Sequence, residues 1–109
     1  MFCYQCEQTN KGSGCTVRGV CGKGSETAVL QDLLVYATKG LSWYGHLGRA
    51  LGLCDRTMDV FTIQALFSTV TNVNFDPERL RVLLIRAAEL RENARQRYEA
   101  ACDKAGQIP

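Results

Sequence analysis

Residues 25–51 read SETAVLQDLLVYATKGLSWYGHLGRAL, and this stretch decides the fold class. Its apolar side chains recur at steps of three and four residues: Leu30, Leu33, Leu34, Ala37, Leu41, Tyr44, Leu47 and Leu51. This spacing places them on one face of an α-helix, which turns once every 3.6 residues. Ser25 is a suitable N-cap, Glu26 favours the positive end of the helix dipole, and Gly52 is a suitable terminator. The stretch therefore predicts one long helix that ends near Gly52.

Two further helices are predicted downstream. The first runs from Thr57 or Asp59 to Val70, although its β-branched residues also fit a strand. The second begins at Asp76-Pro77-Glu78, which combines an N-cap acid, a proline at the first helical position and a carboxylate in the first turn. It continues to about Lys104, and Gly106 stops it. Short links between three amphipathic helices predict an all-α fold, an antiparallel three-helix bundle over residues 25–109.

Small and aromatic residues of the first helix are expected to serve packing. Gly40, Gly45 and Gly48 weaken the helix, and close approach of a neighbouring helix explains them. Trp43, with Tyr36 and Tyr44, is expected to pack between helices.

Residues 1–24 follow a different pattern and precede the bundle as a cysteine-rich loop. They contain four of the six cysteines and five of the ten glycines, with little helical or strand periodicity. Such a segment buries little apolar surface, so something other than a core must order it. A metal centre would do so, because its binding free energy becomes folding free energy. With the bundle, the loop is expected to form a single compact domain.

The cysteine spacing is Cys3-x2-Cys6-x8-Cys15-x5-Cys21. Four thiolates suit tetrahedral zinc or an iron–sulfur cluster, and a disulfide pairing is the third alternative. An iron–sulfur cluster is favoured because only the first pair resembles a zinc knuckle and all four cysteines fall in a short, glycine-rich run. Basic side chains in the loop could offset the negative charge of the cluster: Lys11, Arg18 and Lys23.

The remaining metal-ligand types have simpler interpretations. Cys54 and Cys102 lie near predicted helix ends and are expected to be packed as small hydrophobic residues. His46 is the single histidine and is expected to be a surface or packing residue, because its neighbours supply no partner ligand.

Composition excludes several classes of function. The formal net charge is +2, and basic residues do not cluster with aromatic ones, so no nucleic-acid groove is expected. No apolar run approaches the roughly 20 residues that span a bilayer, and the first residues lack a secretory signal, so no membrane association is expected. A cytoplasmic location follows, and a reducing cytoplasm favours metal binding over disulfides.

Two cysteine motifs carry a resemblance to a known family. Residues 1–9, MFCYQCEQT, and residues 14–23, GCTVRGVCGK, resemble the opening of the hybrid-cluster proteins, also called prismane proteins or hydroxylamine reductases. The similarity continues through residues 30–34 and 39–41 and returns in residues 65–76, ALFSTVTNVNFD.

The resemblance implies that Cys3, Cys6, Cys15 and Cys21 bind the electron-transfer cluster of that family. Members with this spacing typically hold [4Fe-4S], and members with wider spacing can hold [2Fe-2S]. The family reduces hydroxylamine or nitric oxide at a second, hybrid cluster, whose ligands come from domains much later in a longer chain. The resemblance therefore implies an electron relay that is not catalytic by itself, with a redox partner protein or the catalytic domains of a hybrid-cluster protein as its partners.

Two alternatives of other classes remain open from the residues alone. One is a zinc-stapled helical domain that binds a protein partner, and the other is a redox sensor whose loop unfolds when a cluster is lost. Exposed apolar surface on the bundle would also allow a homo-oligomer.

Overall fold

The structure, a computed structural model, describes residues 3–7, 12–70 and 73–109. Three helices account for most of it: α1 (Ser25–Ala50), α2 (Arg56–Ser68) and α3 (Pro77–Ala105). No β-strand is present in these ranges, and Cys3 and Cys15 form only an isolated antiparallel bridge. The all-α prediction is therefore confirmed, and the β-branched second segment is a helix. None of the described helices is long and apolar enough to cross a membrane.

Contacts between helices fix their directions. Arg49, at the end of α1, forms an ion pair with Asp59 at the start of α2. Gln31, near the start of α1, instead lies beside Ser68 at the end of α2, with 3.4 Å between its Nε2 and the serine carbonyl oxygen. The two helices are therefore antiparallel.

The third helix returns in the direction of α1. Arg81, near its start, forms an ion pair with Glu26, and further along the rings of Tyr44 and Tyr98 are 6.1 Å apart. The bundle is thus up-down-up, with antiparallel consecutive helices and a parallel pair of long helices, α1 and α3. Both long helices extend beyond the shorter α2.

The hydrophobic core lies where all three helices meet. Its buried members are Leu34, Leu41, Met58, Phe61, Ala65, Leu80 and Ala87. Burying a leucine side chain completely contributes roughly 1.5–3 kcal/mol, so Leu34, Leu41 and Leu80 dominate this core. Leu33 was expected on the same face but is about half exposed, whereas the adjacent Leu34 is fully buried.

The helix ends agree with local capping signals to within a few residues. The N-cap of α1 is Gly24 rather than Ser25, and no side chain caps this end. The predicted N-cap of α3 is confirmed: the Asp76 carboxylate accepts a hydrogen bond from the amide of Glu78. Gly106 adopts the left-handed conformation that ends α3, with φ of 66°.

The start of α2 was predicted one to three residues too late. Asp55 is its N-cap, and the carboxylate accepts a hydrogen bond from the amide of Met58. The helix also ends at Ser68, two residues before the predicted Val70.

Glycines of α1 allow close packing, as predicted. A Cβ on Gly45 would lie 2.4 Å from the terminal methyl of Met58, and a Cβ on Gly48 would lie 3.3 Å from Leu53. A Cβ on Gly40 would lie 3.2 Å from the side chain of Arg91. Neighbouring chain therefore occupies the space that larger side chains would need.

The prediction for the aromatic residues is only partly correct. Tyr44 packs against Tyr98, but Trp43 and Tyr36 are mostly exposed on α1. The outer surface of α2 also carries exposed apolar side chains: Val60, Ile63, Leu66 and Phe67. The prediction that such surface supports self-association stays a prediction.

Candidate metal centre

The four cysteines singled out by their spacing all lie in the segment that precedes α1. Cys15 is buried, whereas Cys3, Cys6 and Cys21 are half-buried. The amide of Cys15 donates a hydrogen bond of 2.6 Å to the carbonyl oxygen of Cys3. The bond joins the first and third cysteines of the motif. This backbone bridge folds the chain back on itself.

A tight turn carries Cys21. The amide of Gly22 donates to the carbonyl oxygen of Gly19, and the amide of Gly19 donates to the carbonyl oxygen of Lys23, each over 2.9 Å. Gly22 has φ of 92°, a conformation that residues with a side chain rarely adopt. Gly19 is needed for space instead, since a Cβ there would lie 2.9 Å from the Lys23 carbonyl oxygen. Both glycines therefore serve the turn that positions the fourth cysteine.

Lys23 anchors this turn in the interior of the protein. Lys23 is only 2% exposed, and its Nζ donates a hydrogen bond of 2.7 Å to Oε1 of Gln5. Gln5 lies between Cys3 and Cys6 in sequence. The Nζ also lies 5.6 Å from the centre of the Phe75 ring, within the range of a cation–π interaction. The other basic residues named from sequence differ: Arg18 is exposed, and Lys11 lies outside the described residues.

Further hydrogen bonds attach the cysteine-rich segment and the start of α1 to the α2–α3 connection. Nε2 of Gln5 donates to the carbonyl oxygen of Thr69 over 2.6 Å. Thr27 donates to the carbonyl oxygen of Phe75, and Gln31 donates to that of Asn74. The segment and the bundle therefore form one continuous structure at this end of the molecule.

A cavity of about 150 Å³ lies between the segment and the bundle. Cys3, Gln5 and Lys23 of the segment line it, together with Gln31 of α1 and Thr69 after α2. The buried Oε1 of Gln31 has no hydrogen-bond partner in the part of the chain that the structure describes.

The structure does not assemble a complete coordination sphere. Within residues 3–7, 12–70 and 73–109, no three His, Cys, Asp or Glu side chains lie close enough to share a metal ion. Cys3 and Cys15 are joined through a backbone bridge. The chemistry of the donor set nevertheless suits a thiolate-bound metal: four cysteines occur in one short segment, beside a buried cation that would offset their negative charge.

The other two cysteines differ from each other. Cys102 is buried on α3, as predicted, and its hydrogen bond to Tyr98 is the main reason that the pKa of this tyrosine is raised. The prediction for Cys54 was wrong: it is exposed in the α1–α2 link, where the chain turns between Gly52 and the N-cap of α2. His46 is exposed on α1, which agrees with the prediction of a surface residue.

Comparison with known proteins identifies the family. A sequence profile described as Prismane/CO dehydrogenase family matches residues 1–108. This chain belongs to that family. The resemblance read from the cysteine motifs is therefore confirmed.

Similar members of the Prismane/CO dehydrogenase family are curated as hydroxylamine reductases. The protein from Syntrophobacter fumaroxidans is 57% identical over 104 residues, which cover 95% of this chain and 19% of the relative. The protein from Rhodospirillum rubrum is 55% identical over 102 residues, covering 94% and 19%. The protein from Thermosipho melanesiensis is 47% identical over 107 residues, covering 97% and 19%. The chain thus spans about a fifth of the length of these relatives.

Proposed function

We propose that this chain is an iron–sulfur electron-transfer module in which Cys3, Cys6, Cys15 and Cys21 hold a [4Fe-4S] cluster. The observation that carries the proposal is the cysteine set itself: four thiols at x2, x8 and x5 spacing in a segment outside the helices, in a member of the Prismane/CO dehydrogenase family. The spacing is that of the [4Fe-4S] members that the sequence resembles. A [2Fe-2S] cluster and zinc are the alternative occupants.

Residues around the thiols suit them to this role. A cluster bound here would supply one-electron transfer at a potential set by its ligands, nearby charge and exposure to water. The Gly19–Lys23 turn holds Cys21 in place, and the bridge to Cys3 holds the buried Cys15. Lys23 and Gln5 are hydrogen-bonded to each other, and both line the cavity beside Cys3.

The electron acceptor in this proposal is a catalytic hybrid cluster that this chain does not encode. That cluster would lie in the catalytic domains of a hybrid-cluster protein or in a separate redox partner, in the cytoplasm. His46 and Cys54 are exposed on different elements and Cys102 is buried on α3, so these residues do not supply a second site of that kind. Hydroxylamine reduction would then require more than the residues present here.

Replacement of one ligand tests the assignment. Cys6→Ser should lose most of its iron after anaerobic reconstitution, while circular dichroism still reports three helices, because the core lies elsewhere. Cys54→Ser is the matched control and should retain its iron, since Cys54 is exposed in the α1–α2 link. Full iron content and unchanged redox behaviour in Cys6→Ser would show that the ligand assignment is wrong.

A further inference from the structure

Lys23 is a buried cation, and no acidic side chain in the described part of the chain forms an ion pair with it. Its residue is 2% exposed, yet none of the ion pairs among the described residues includes it. Asp32 lines the same cavity but is not paired with it. Burying a charge costs several kcal/mol unless a compensating charge or strong hydrogen bonds accompany it. One neutral amide and one aromatic ring are weak compensation for that cost.

The position of Lys23 indicates which anion is missing. The lysine follows Cys21 by two residues and closes the turn that carries it. Its ammonium is bonded to Gln5, which lies between Cys3 and Cys6 in sequence, and Lys23 and Cys3 line the same cavity. Since Asp32 forms no ion pair with Lys23, the candidate counter-charge is the cysteine set itself, once its thiols are deprotonated by a metal centre.

We infer that Lys23 is a positioning residue that supplies the internal counter-charge of the cluster and raises its reduction potential. This inference rests on the proposed function and adds the residue that tunes it. Adding an electron to a thiolate-bound cluster increases its negative charge, so a fixed neighbouring cation favours the reduced state. The hydrogen bond to Gln5 and the contact with Phe75 hold the ammonium in place.

Two neutral variants separate charge from packing. Lys23→Met removes the charge and preserves much of the volume, whereas Lys23→Gln also preserves a donor for the oxygen of Gln5. Both should shift the reduction potential of the reconstituted protein downward. Lys39→Met is the matched control, because Lys39 is exposed on the middle of α1, and its potential should equal that of the wild type.

The potential is measured by anaerobic redox titration followed by EPR. If Lys23→Met does not retain a cluster, the reduction potential of Lys23→Gln alone tests the inference. A wild-type potential in Lys23→Gln would overturn the inference, because the hydrogen bond and packing would then account for the lysine. A shift as large in Lys39→Met would also overturn it. A wild-type protein without iron would instead refute the proposed function, so the two failures are distinguishable.

A second readout uses the metal-free protein. Without a cluster, Lys23 has no ion-pair partner among residues 3–7, 12–70 and 73–109, so Lys23→Met should be at least as stable to thermal unfolding as the wild type. With the cluster bound, the same variant should lose iron to a chelator faster than the wild type. A loss of stability in the metal-free state alone would contradict the role of a counter-charge.

Discussion

Replacing Gly19 with alanine should weaken retention of the proposed cluster while leaving the helical bundle folded. An added Cβ would lie 2.9 Å from the carbonyl oxygen of Lys23, 3.1 Å from its amide nitrogen and 3.2 Å from its Cβ. Two of these atoms are backbone, so no side-chain rotation relieves the contact. The carbonyl oxygen is also the acceptor for the amide of Gly19, so any shift that admits the methyl group disturbs the hydrogen bond that closes the turn.

The size of the effect follows from the geometry. Forcing a methyl group into a close-packed site costs typically about 1–3 kcal/mol. In the proposal, the closed turn is the form that presents Cys21 to the metal centre, so this cost is subtracted from the free energy of metal binding. Since about 1.4 kcal/mol corresponds to a tenfold change in an equilibrium constant, cluster retention should fall roughly 5- to 150-fold.

Competition with an iron chelator measures this loss through the decay of the visible absorption of anaerobically reconstituted protein. Gly24→Ala is the matched control: Gly24 has φ of −82° and nothing lies within 4 Å of an added Cβ. Any cost at the N-cap of α1 would lower the unfolding temperature, which circular dichroism reports separately. If Gly19→Ala and Gly24→Ala lost iron at the same rate, the Gly19–Lys23 turn would not be what holds Cys21 at the proposed metal centre.

Three further predictions concern the bundle. Leu41→Ala should lower the free energy of unfolding, measured by urea titration, by about 2–5 kcal/mol. Leu33→Ala should lower it by much less, because Leu33 is half-exposed. Equal losses in the two variants would contradict the assigned core. Asp76→Ala should cost about 1 kcal/mol through loss of the N-cap, whereas Asp76→Asn should retain most of the stability in the same titration. Hydrogen bonding to Arg95 lowers the pKa of Glu92 from 4.5 to about 2, so its stabilisation is present above pH 4.5 and lost as the pH falls towards 2. The melting temperatures of wild type and Glu92→Gln should therefore converge over that range, and a constant difference would refute the linkage.

Local signals explain why most of the fold could be predicted from the sequence. Asp76 and Gly106 bracket α3 with a side-chain cap and a left-handed terminator, and both operate within one turn of the helix. The start of α2 had an equally local signal in Asp55, which was missed because Thr57 and Asp59 also resemble helix starts. The exposure of Leu33 and Trp43 depends on how the other helices pack against α1, which the apolar pattern of α1 alone does not encode.

For the candidate site, the sequence predicts a set of ligands but not how they are arranged, and the ligand set stays a prediction. Spacing identified Cys3, Cys6, Cys15 and Cys21 as one set, because ligand type and interval are properties of the chain. The burial of Lys23 could not be read from its flanking glycines, since it depends on contacts with Gln5 and Phe75, which are distant in sequence. In the proposal, the convergence of the four thiols would depend on a metal centre as well as on the chain, which is why the sequence alone does not predict it.

Anaerobic purification with iron and sulfide analysis, visible absorption and EPR tests the central claim most directly. The account predicts about four iron and four sulfide per chain, a broad charge-transfer band and an EPR signal that appears on reduction. A colourless protein that holds one zinc ion on the same cysteines would contradict it, leaving the helical fold intact and removing the redox function.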